Sequence, residues 1–293
     1  MPRTRDRRYL ARTLTSSAFG GARRLRRTNP FTQVEVNHHT FTHPRIDART
    51  QGLRLAHLTD IHYGPWIRGP ELEALVRFVN AQEVDLVVLT GDYVGHRRSD
   101  IAPCVEPMAG FNAPTFATLG NHDYKACHEE TQRAFDAIGV PVLVNASTRV
   151  TTARGHQLTV VGVDDAVTRH HDVPEAFRDA DPEAHFCLTL SHMPEIAPEI
   201  AEHGGHLILS GHTHGLQFDT PIMRRLARRI GMSLVMGAYP LDNGLLYVSQ
   251  GLGSDLFPWR YRTRPEIALF ELSAGPAPEL TLERQGVLDI VTR

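Results

Sequence analysis

Four short stretches of this sequence crowd metal-ligating and acid–base side chains into a few positions. They are Thr59-Asp60-Ile61-His62, Thr90-Gly91-Asp92, Gly120-Asn121-His122-Asp123 and Ser210-Gly211-His212-Thr213-His214. A fifth, Thr189-Leu190-Ser191-His192, carries a single imidazole. Each follows an apolar, strand-like run and is read as a strand end. Singly they are weak signals, because Gly-Asn and Asn-His are ordinary turn material. Their recurrence at five strand ends gives them weight. Residues two apart on a strand project to the same side, so Asp60 and His62 should reach one ion together, as should His212 and His214. Asp92 stands alone at its strand end, where one carboxylate could serve two ions with its two oxygens. Asn121 offers a neutral oxygen and His192 a nitrogen. Gly120 is expected to break its strand because glycine accepts positive φ and close backbone approach at no steric cost.

These seven candidate ligands suffice for two ions, whereas a closed structural zinc site takes four, often thiolates. None of the three cysteines, Cys104, Cys127 and Cys187, lies in a motif. Their odd number and the lack of CxxC spacing argue against a disulfide framework and for a reducing compartment. Mixed nitrogen and oxygen donors suit manganese first, with iron, zinc or magnesium as alternatives, and fit calcium poorly. No motif supplies a covalent nucleophile.

The elements that must carry these residues alternate. Residues 53–60, 84–89 and 115–119 read as strands, and 71–80, 101–109 and 128–138 as helices. The run Val84-Asp85-Leu86-Val87-Val88-Leu89 is nearly continuous in apolar residues, as a strand buried on both faces requires. Strand–helix alternation implies parallel strands with sites at their carboxyl ends. From Pro141 the rhythm changes. Residues 142–144, 148–152 and 157–163 read as closely spaced strands of a second sheet, followed by strands 185–190 and 206–209 with helices at 174–178 and 194–202. Residues 245–249, 266–272 and 279–284 read as further β-structure, and 31–37 as an edge strand. The expected fold is a four-layer α/β/β/α sandwich of two packed mixed sheets, with a dinuclear metal site at the strand carboxyl ends. The expected organisation is a basic arm and lead-in strand over 1–50, a catalytic domain over 51–275 and a tail over 276–293.

Composition is that of a globular chain, with 41% hydrophobic and 22% charged residues among 293. The formal net charge of −2 makes no electrostatic case for nucleic acid, and no protein partner is implied. Charge is nevertheless uneven. The first thirty residues hold nine arginines against one acid, Asp6. Arg7-Arg8 is the start a twin-arginine export signal would have, but residues 14–22 are too short and polar for a signal or a membrane span. A disordered basic arm and a segment drawn to an anionic membrane surface remain open beside it. A second basic stretch, Pro221 to Ile230, places Ile222, Met223, Leu226 and Ile230 at helical spacing, with Arg224, Arg225, Arg228 and Arg229 between them. Such a helix can lie in a membrane interface or on a protein core. The expected location is cytoplasmic, with peripheral attachment to the inner membrane.

The ordered set Asp60-x-His62, Gly91-Asp92, Gly120-Asn121-His122-Asp123, Ser191-His192 and Gly211-His212-x-His214 resembles the calcineurin-like metallophosphoesterases over about residues 53–216. The later runs Gly237-Ala238-Tyr239, Leu246 to Gly253 and Arg264-Pro265-Glu266-Ile267 are similar to a bacterial phosphodiesterase branch that includes UDP-2,3-diacylglucosamine pyrophosphatases. The resemblance implies two divalent ions. Asp60, His62, Asp92 and His214 would hold the first, and Asp92, Asn121, His192 and His212 the second, with Asp92 bridging. It implies that a metal-bridging hydroxide attacks phosphorus and that His122 protonates the leaving oxygen. Asp123 would orient its neighbours. The substrate would be a lipid-linked or nucleotide-linked phosphoester. A phosphomonoesterase and a non-catalytic metal-dependent scaffold are the alternatives. One departure stands out: many relatives carry an Asp three residues after the bridging Asp, paired with the catalytic His, and here that position is Gly95.

Overall fold

A computed structural model describes residues 31, 33–254 and 259–290; the basic arm over 1–30 lies outside them. The strands are β1 (Gln33–His43), β2 (Arg54–Leu58), β3 (Leu86–Thr90), β4 (Thr115–Thr118), β5 (Ala146–Thr151), β6 (Gln157–Val163), β7 (Cys187–Ser191), β8 (Leu207–Ser210), β9 (Gly237–Leu241), β10 (Gly244–Val248), β11 (Glu266–Ala274) and β12 (Glu279–Asp289). The helices are α1 (Gly69–Ala81), α2 (Ile101–Val105), α3 (Asn121–Ala126), α4 (His128–Ala137), α5 (Val173–Phe177), α6 (Ala197–Glu202) and α7 (Pro221–Arg229).

They form two six-stranded sheets, ordered β12-β1-β11-β2-β3-β4 and β5-β6-β7-β8-β10-β9. Both are mixed. β2, β3 and β4 run parallel, while β11 meets β2 antiparallel. β6, β7, β8 and β10 run parallel, with antiparallel partners β5 and β9 at the edges. Three apolar layers hold the four-layer sandwich together. Leu55, Leu86, Val88, Leu188, Leu209 and Phe270 fill the space between the sheets. Leu72, Leu75, Ile101 and Phe135 pack the outer helices on the first sheet, and Val173, Ala176, Ala197 and Ile200 do so on the second. Strand β3 is buried along its whole length, as its unbroken apolar run requires. Burial of each large aliphatic side chain stabilises the fold by roughly 1.5–3 kcal/mol.

Some elements differ from the sequence reading. Residues 142–144 form no strand; Val142 makes one parallel bridge to Ala117, and the chain then turns at Asn145, whose φ is 45°. The helix expected over 101–109 is a five-residue α-helix continued by a 3₁₀ turn over Glu106–Gly110, because Pro107 lacks the N–H that an α-helical bond needs. The lead-in strand is longer than 31–37. It lies inside the first sheet, parallel to β11 and antiparallel to β12. β12 itself continues past residue 284 to Asp289.

Candidate active site

Strands β2, β3, β4, β7 and β8 end at one rim of the sandwich, and the segments after them deliver the candidate ligands. The loops do not continue the strands. Asp60, His62, Asp92, His212 and His214 all have left-handed backbones, with φ of 52°, 45°, 54°, 70° and 51°. Asp60 and His62 lie beyond β2, which stops at Leu58, and His212 and His214 lie beyond β8, which stops at Ser210. The expected alternation along a strand is therefore not what aligns them; tight left-handed turns do. Asp and His tolerate this region better than most residues. Such conformations cost of order 1–3 kcal/mol each and persist where surrounding contacts impose them.

Those contacts are visible. Asp60 accepts the backbone N–H of His212 and the hydroxyl of Thr59 at 2.9–3.1 Å. Leu252 and Gly253 donate their N–H groups to the carbonyls of Thr59 and Asp60. A Cβ on Gly251, itself at φ 68°, would stand 2.6 Å from the Cβ of Asp60. The Ser249-to-Gly253 run thus forms the wall behind Asp60. Glu266, buried, anchors that wall by accepting the Gln250 N–H at 2.8 Å and an Asn37 amide N–H at 2.9 Å. Gly120 has φ −115°, so positive φ is not its reason. Close approach is: a Cβ there would lie 2.3 Å from Asp92 Oδ1.

Asp60, His62 and His214 form one group of convergent donors, and Asp92, His192 and His212 another; within each, the ligand atoms lie within 4.8 Å of one another. Asp92 Oδ2 faces both groups, 3.5 Å from His62 Nε2 and 3.2 Å from His192 Nε2, while its Oδ1 accepts the His122 N–H at 2.8 Å. Asn121 is buried beside them, and its Oδ1 has no hydrogen-bond partner. His192 Nδ1 donates to the Thr90 carbonyl at 2.7 Å, which turns the buried Nε2 toward Asp92 Oδ2, where a cation would find both atoms. His62 Nε2 and His214 Nε2 stand 3.0 Å apart, a spacing that one hydrogen bond fills and that two ligands of one cation also keep. The donor set therefore fits two divalent ions. A second shell fixing the imidazole tautomer, as Thr90 does for His192, is usual for metal-binding histidines.

Electrostatics at three of the four ligand imidazoles match cation binding; at the fourth, His192, burial would lower the pKa but Asp92 raises it to about 10, a proton that a bound cation would displace. Burial pushes His62 down to about 3 and His212 down to about 4, and it holds His214 well below its ordinary value. These imidazoles are neutral, as ligands must be. Burial would raise Asp92, but neighbouring His192 and His62 hold it well below the carboxylate range. Burial pushes Asp60 up to about 6, a cost that a bound cation removes.

His122 and Asp123 begin α3. Asp123 is fully buried and joins neither donor group. Its carboxylate accepts the backbone N–H groups of Asp92, Tyr93 and Gly120, each at 2.9 Å, and so ties the Asp92 loop to the Asn121 loop. His122 Nδ1 lies 2.7 Å from the Gly95 carbonyl. Lys125 Nζ lies 3.1 Å from His122 Nε2.

The donor groups and His122 open on a cavity of about 340 Å³ whose other walls include Phe218, Met223, Leu226, Ile230 and Met232. A second cleft of about 460 Å³ begins at His62 and runs past Trp66, Arg68, His96 and Arg97. Helix α7 exposes its apolar stripe: Ile222 is 79% exposed, Ile230 71% and Leu226 50%, while Ala227 is buried. Arg224 is paired with Asp219. Arg225, Arg228 and Arg229 make no ion pair among the described residues.

Sequence reasoning did not single out Lys125, Arg260 or the Asp164-Asp165 pair. Arg260 bonds the carbonyls of Gln250 and Gly251 and stands 3.3 Å from His214 Nδ1. Asp164 and Asp165 follow β6 in the same strand-then-acid pattern as the ligand motifs, so a signal was present. Asp164 accepts the Tyr124 hydroxyl, and Asp165 accepts the N–H of Thr168 at 2.7 Å.

Residues 53–216 match the family model described as calcineurin-like phosphoesterase. The chain is 29% identical over 227 residues to phosphodiesterase YaeI of Escherichia coli, covering 75% of this chain and 82% of that protein. It is 24% identical over 292 residues to UDP-2,3-diacylglucosamine pyrophosphatase LpxG of Chlamydia trachomatis, covering 80% and 87%. The crystal structure of a 5'-nucleotidase precursor from Thermus thermophilus has the same fold over 80% of this chain and 54% of that one, with a TM-score of 0.53 at 15% identity. The motifs, the two donor groups on the strand ends and this family match agree, and the chain belongs to the calcineurin-like phosphoesterases, hydrolases of phosphoric esters.

Proposed function

We propose that this chain hydrolyses a phosphodiester or diphosphate bond in an amphiphilic, lipid-linked or nucleotide-linked substrate, with two divalent ions, manganese foremost. Asp60, His62 and His214 would hold one ion, His192, His212 and Asn121 the other, and Asp92 both. Such a pair lowers the pKa of bound water and clamps phosphate oxygens. The protein's own residues do the rest. Asp123 fixes the two loops so that Asp92 and His122 keep their spacing. The Gly95 carbonyl accepts only, so His122 carries its proton on Nδ1 and turns Nε2 toward the substrate side.

The observation that carries the lipid part is the shared cavity: one wall is the donor groups and His122, and the other is the apolar face of Met223, Leu226 and Ile230. Helix α7 continues that face outward, flanked by Arg225, Arg228 and Arg229. The names of the relatives YaeI and LpxG support phosphodiester and diphosphate chemistry. In this reading Ile222, Leu226 and Ile230 enter the surface of an anionic inner-membrane leaflet, with Arg224 held by Asp219 and the other three arginines on phosphates. Each such arginine adds roughly 1 kcal/mol near the surface. No helix among the described residues is long and apolar enough to cross a membrane.

The test has two arms. Purified protein with Mn²⁺ should hydrolyse bis-p-nitrophenyl phosphate; no turnover with any divalent metal would end the enzymatic reading. It should also sediment with anionic vesicles, and Leu226→Asp should weaken that binding. Vesicle binding absent from wild type, with soluble diesters hydrolysed equally by wild type and Leu226→Asp, would remove the lipid part and leave the phosphodiesterase part.

A further inference from the structure

A positive charge, Lys125, stands beside His122 with no ion pair among the described residues. Lys125 lies in the last turn of the short helix α3, whose first residues are Asn121 and His122. Its Nζ is 3.1 Å from Nε2 of His122. The other nitrogen of the ring is committed to the Gly95 carbonyl at 2.7 Å. Nε2 is therefore the ring's working atom, and any substrate oxygen that meets it lies within reach of the ammonium as well.

The surroundings add charge of the same sign. The cleft beyond the His96 ring, itself 4.7 Å from that of His122, is lined by Arg68 and Arg97, with Asp100 its one acid among the described residues. The apolar wall lies elsewhere, along α7. The site is thus polarised, with cations around His122 and hydrocarbon across the cavity.

On the reading above, we infer that Lys125 is a catalytic residue that contacts the leaving half of the substrate, and that this half carries its own negative charge, as the second phosphate of a diphosphate does. In the step it serves, a water oxygen bonds to phosphorus and the bridging P–O bond breaks. The electron pair stays on the departing phosphate, and the water's proton passes to solvent. Lys125 transfers no proton. Its charge meets the charge that gathers on the departing phosphate: the side chain is exposed, but its Nζ reaches the partly buried contact with His122, where an ionic contact is worth more than in open water. An ammonium suits this role because it is a compact point charge on a flexible stem.

The test compares wild type, Lys125→Gln and Lys125→Arg by calorimetric binding of methylenediphosphonate and of methylphosphonate to the manganese-loaded protein, with metal content measured on each. Methylenediphosphonate carries the second phosphonate that Lys125 would meet, and methylphosphonate does not. Lys125→Gln should weaken the diphosphonate at least about tenfold relative to the monophosphonate, as loss of a hydrogen bond to a charged group does. Lys125→Arg should recover part of the difference, and bound metal should be unchanged. Equal weakening of both ligands, or none, would overturn the role. Because the readout is binding, it stands apart from turnover: if wild type hydrolyses no phosphoester the proposed function fails, whereas turnover with equal ligand effects fails only the assignment of Lys125.

Discussion

The Nδ1 nitrogen of His122 lies 2.7 Å from the carbonyl oxygen of Gly95. Where the resemblance leads one to expect an aspartate side chain, this chain places a main-chain acceptor. A carbonyl fixes the ring and its tautomer but adds no full negative charge behind it. Two substitutions should separate the backbone from the ring. A Cβ on Gly95 would meet nothing within 4 Å, so Gly95→Ala should keep turnover within about threefold, as surface changes usually do. His122→Ala should keep its metals yet lose about 10²-fold or more, the low end for acid–base catalysis. A Gly95→Ala loss as deep as that of His122→Ala would show that the side-chain position, not the carbonyl, is what matters.

Asp92 faces both donor groups at once, 3.5 Å from His62 and 3.2 Å from His192. Asp92→Ala should therefore lower the content of both metals together and abolish hydrolysis of bis-p-nitrophenyl phosphate. Metal analysis by mass spectrometry reads this directly. Two fully bound ions in an active Asp92→Ala protein would rule out the bridging position.

Asp123 should behave differently from the ligands. Its three backbone donors belong to two loops, and removing the acceptor leaves buried N–H groups unsatisfied at about 1–3 kcal/mol each. Asp123→Ala should lower the melting temperature of the metal-free protein, whereas His122→Ala, which removes no such acceptor, should not. Equal melting of the two variants would count against the loop-tying role.

Acid should destabilise the fold through buried histidines that belong to neither donor group. Burial pushes His57 and His206 down to about 3, from an ordinary 6.5. Between these values the unfolded chain binds more protons than the folded one. The stability these residues contribute is complete above about 6.5 and is lost as pH falls toward 3. Each adds a slope of at most ~1.4 kcal/mol per pH unit. Urea unfolding of metal-free protein at several pH values measures it. His206→Gln should flatten the dependence, and an unchanged slope would refute the assignment.

The two candidate donor groups were legible because their chemistry sits in side chains placed by strong local signals: apolar runs broken by glycine or polar residues. The layered fold was legible for the same reason, since strand–helix alternation limits topology. What escaped reading depends on the main chain or on distance. Gly95 accepts through a carbonyl, which every residue possesses. The left-handed turns at Asp60 and His212 leave no trace in composition. Lys125 gains meaning only through its approach to His122. Helix α7 shows its amphipathic pattern plainly, yet the same pattern serves a buried face or an exposed one. The pairing of β12 with β1 joins segments at opposite ends of the sequence, which no local window contains.

That pairing sets an order of events during synthesis. β1 is the first strand of the described chain to be made, and its neighbours in the sheet are β11 and β12, the last two. At ~5–20 residues per second the ribosome takes tens of seconds to span the interval. Throughout it β1 waits with both edges unpaired, while β2, β3 and β4 can already assemble. Glu266, which anchors the wall behind Asp60, emerges on β11 in the same late interval. The nascent protein can hold most of its ligands long before it can hold their geometry, so a metal bound before β11 is made meets an Asp60 without its wall.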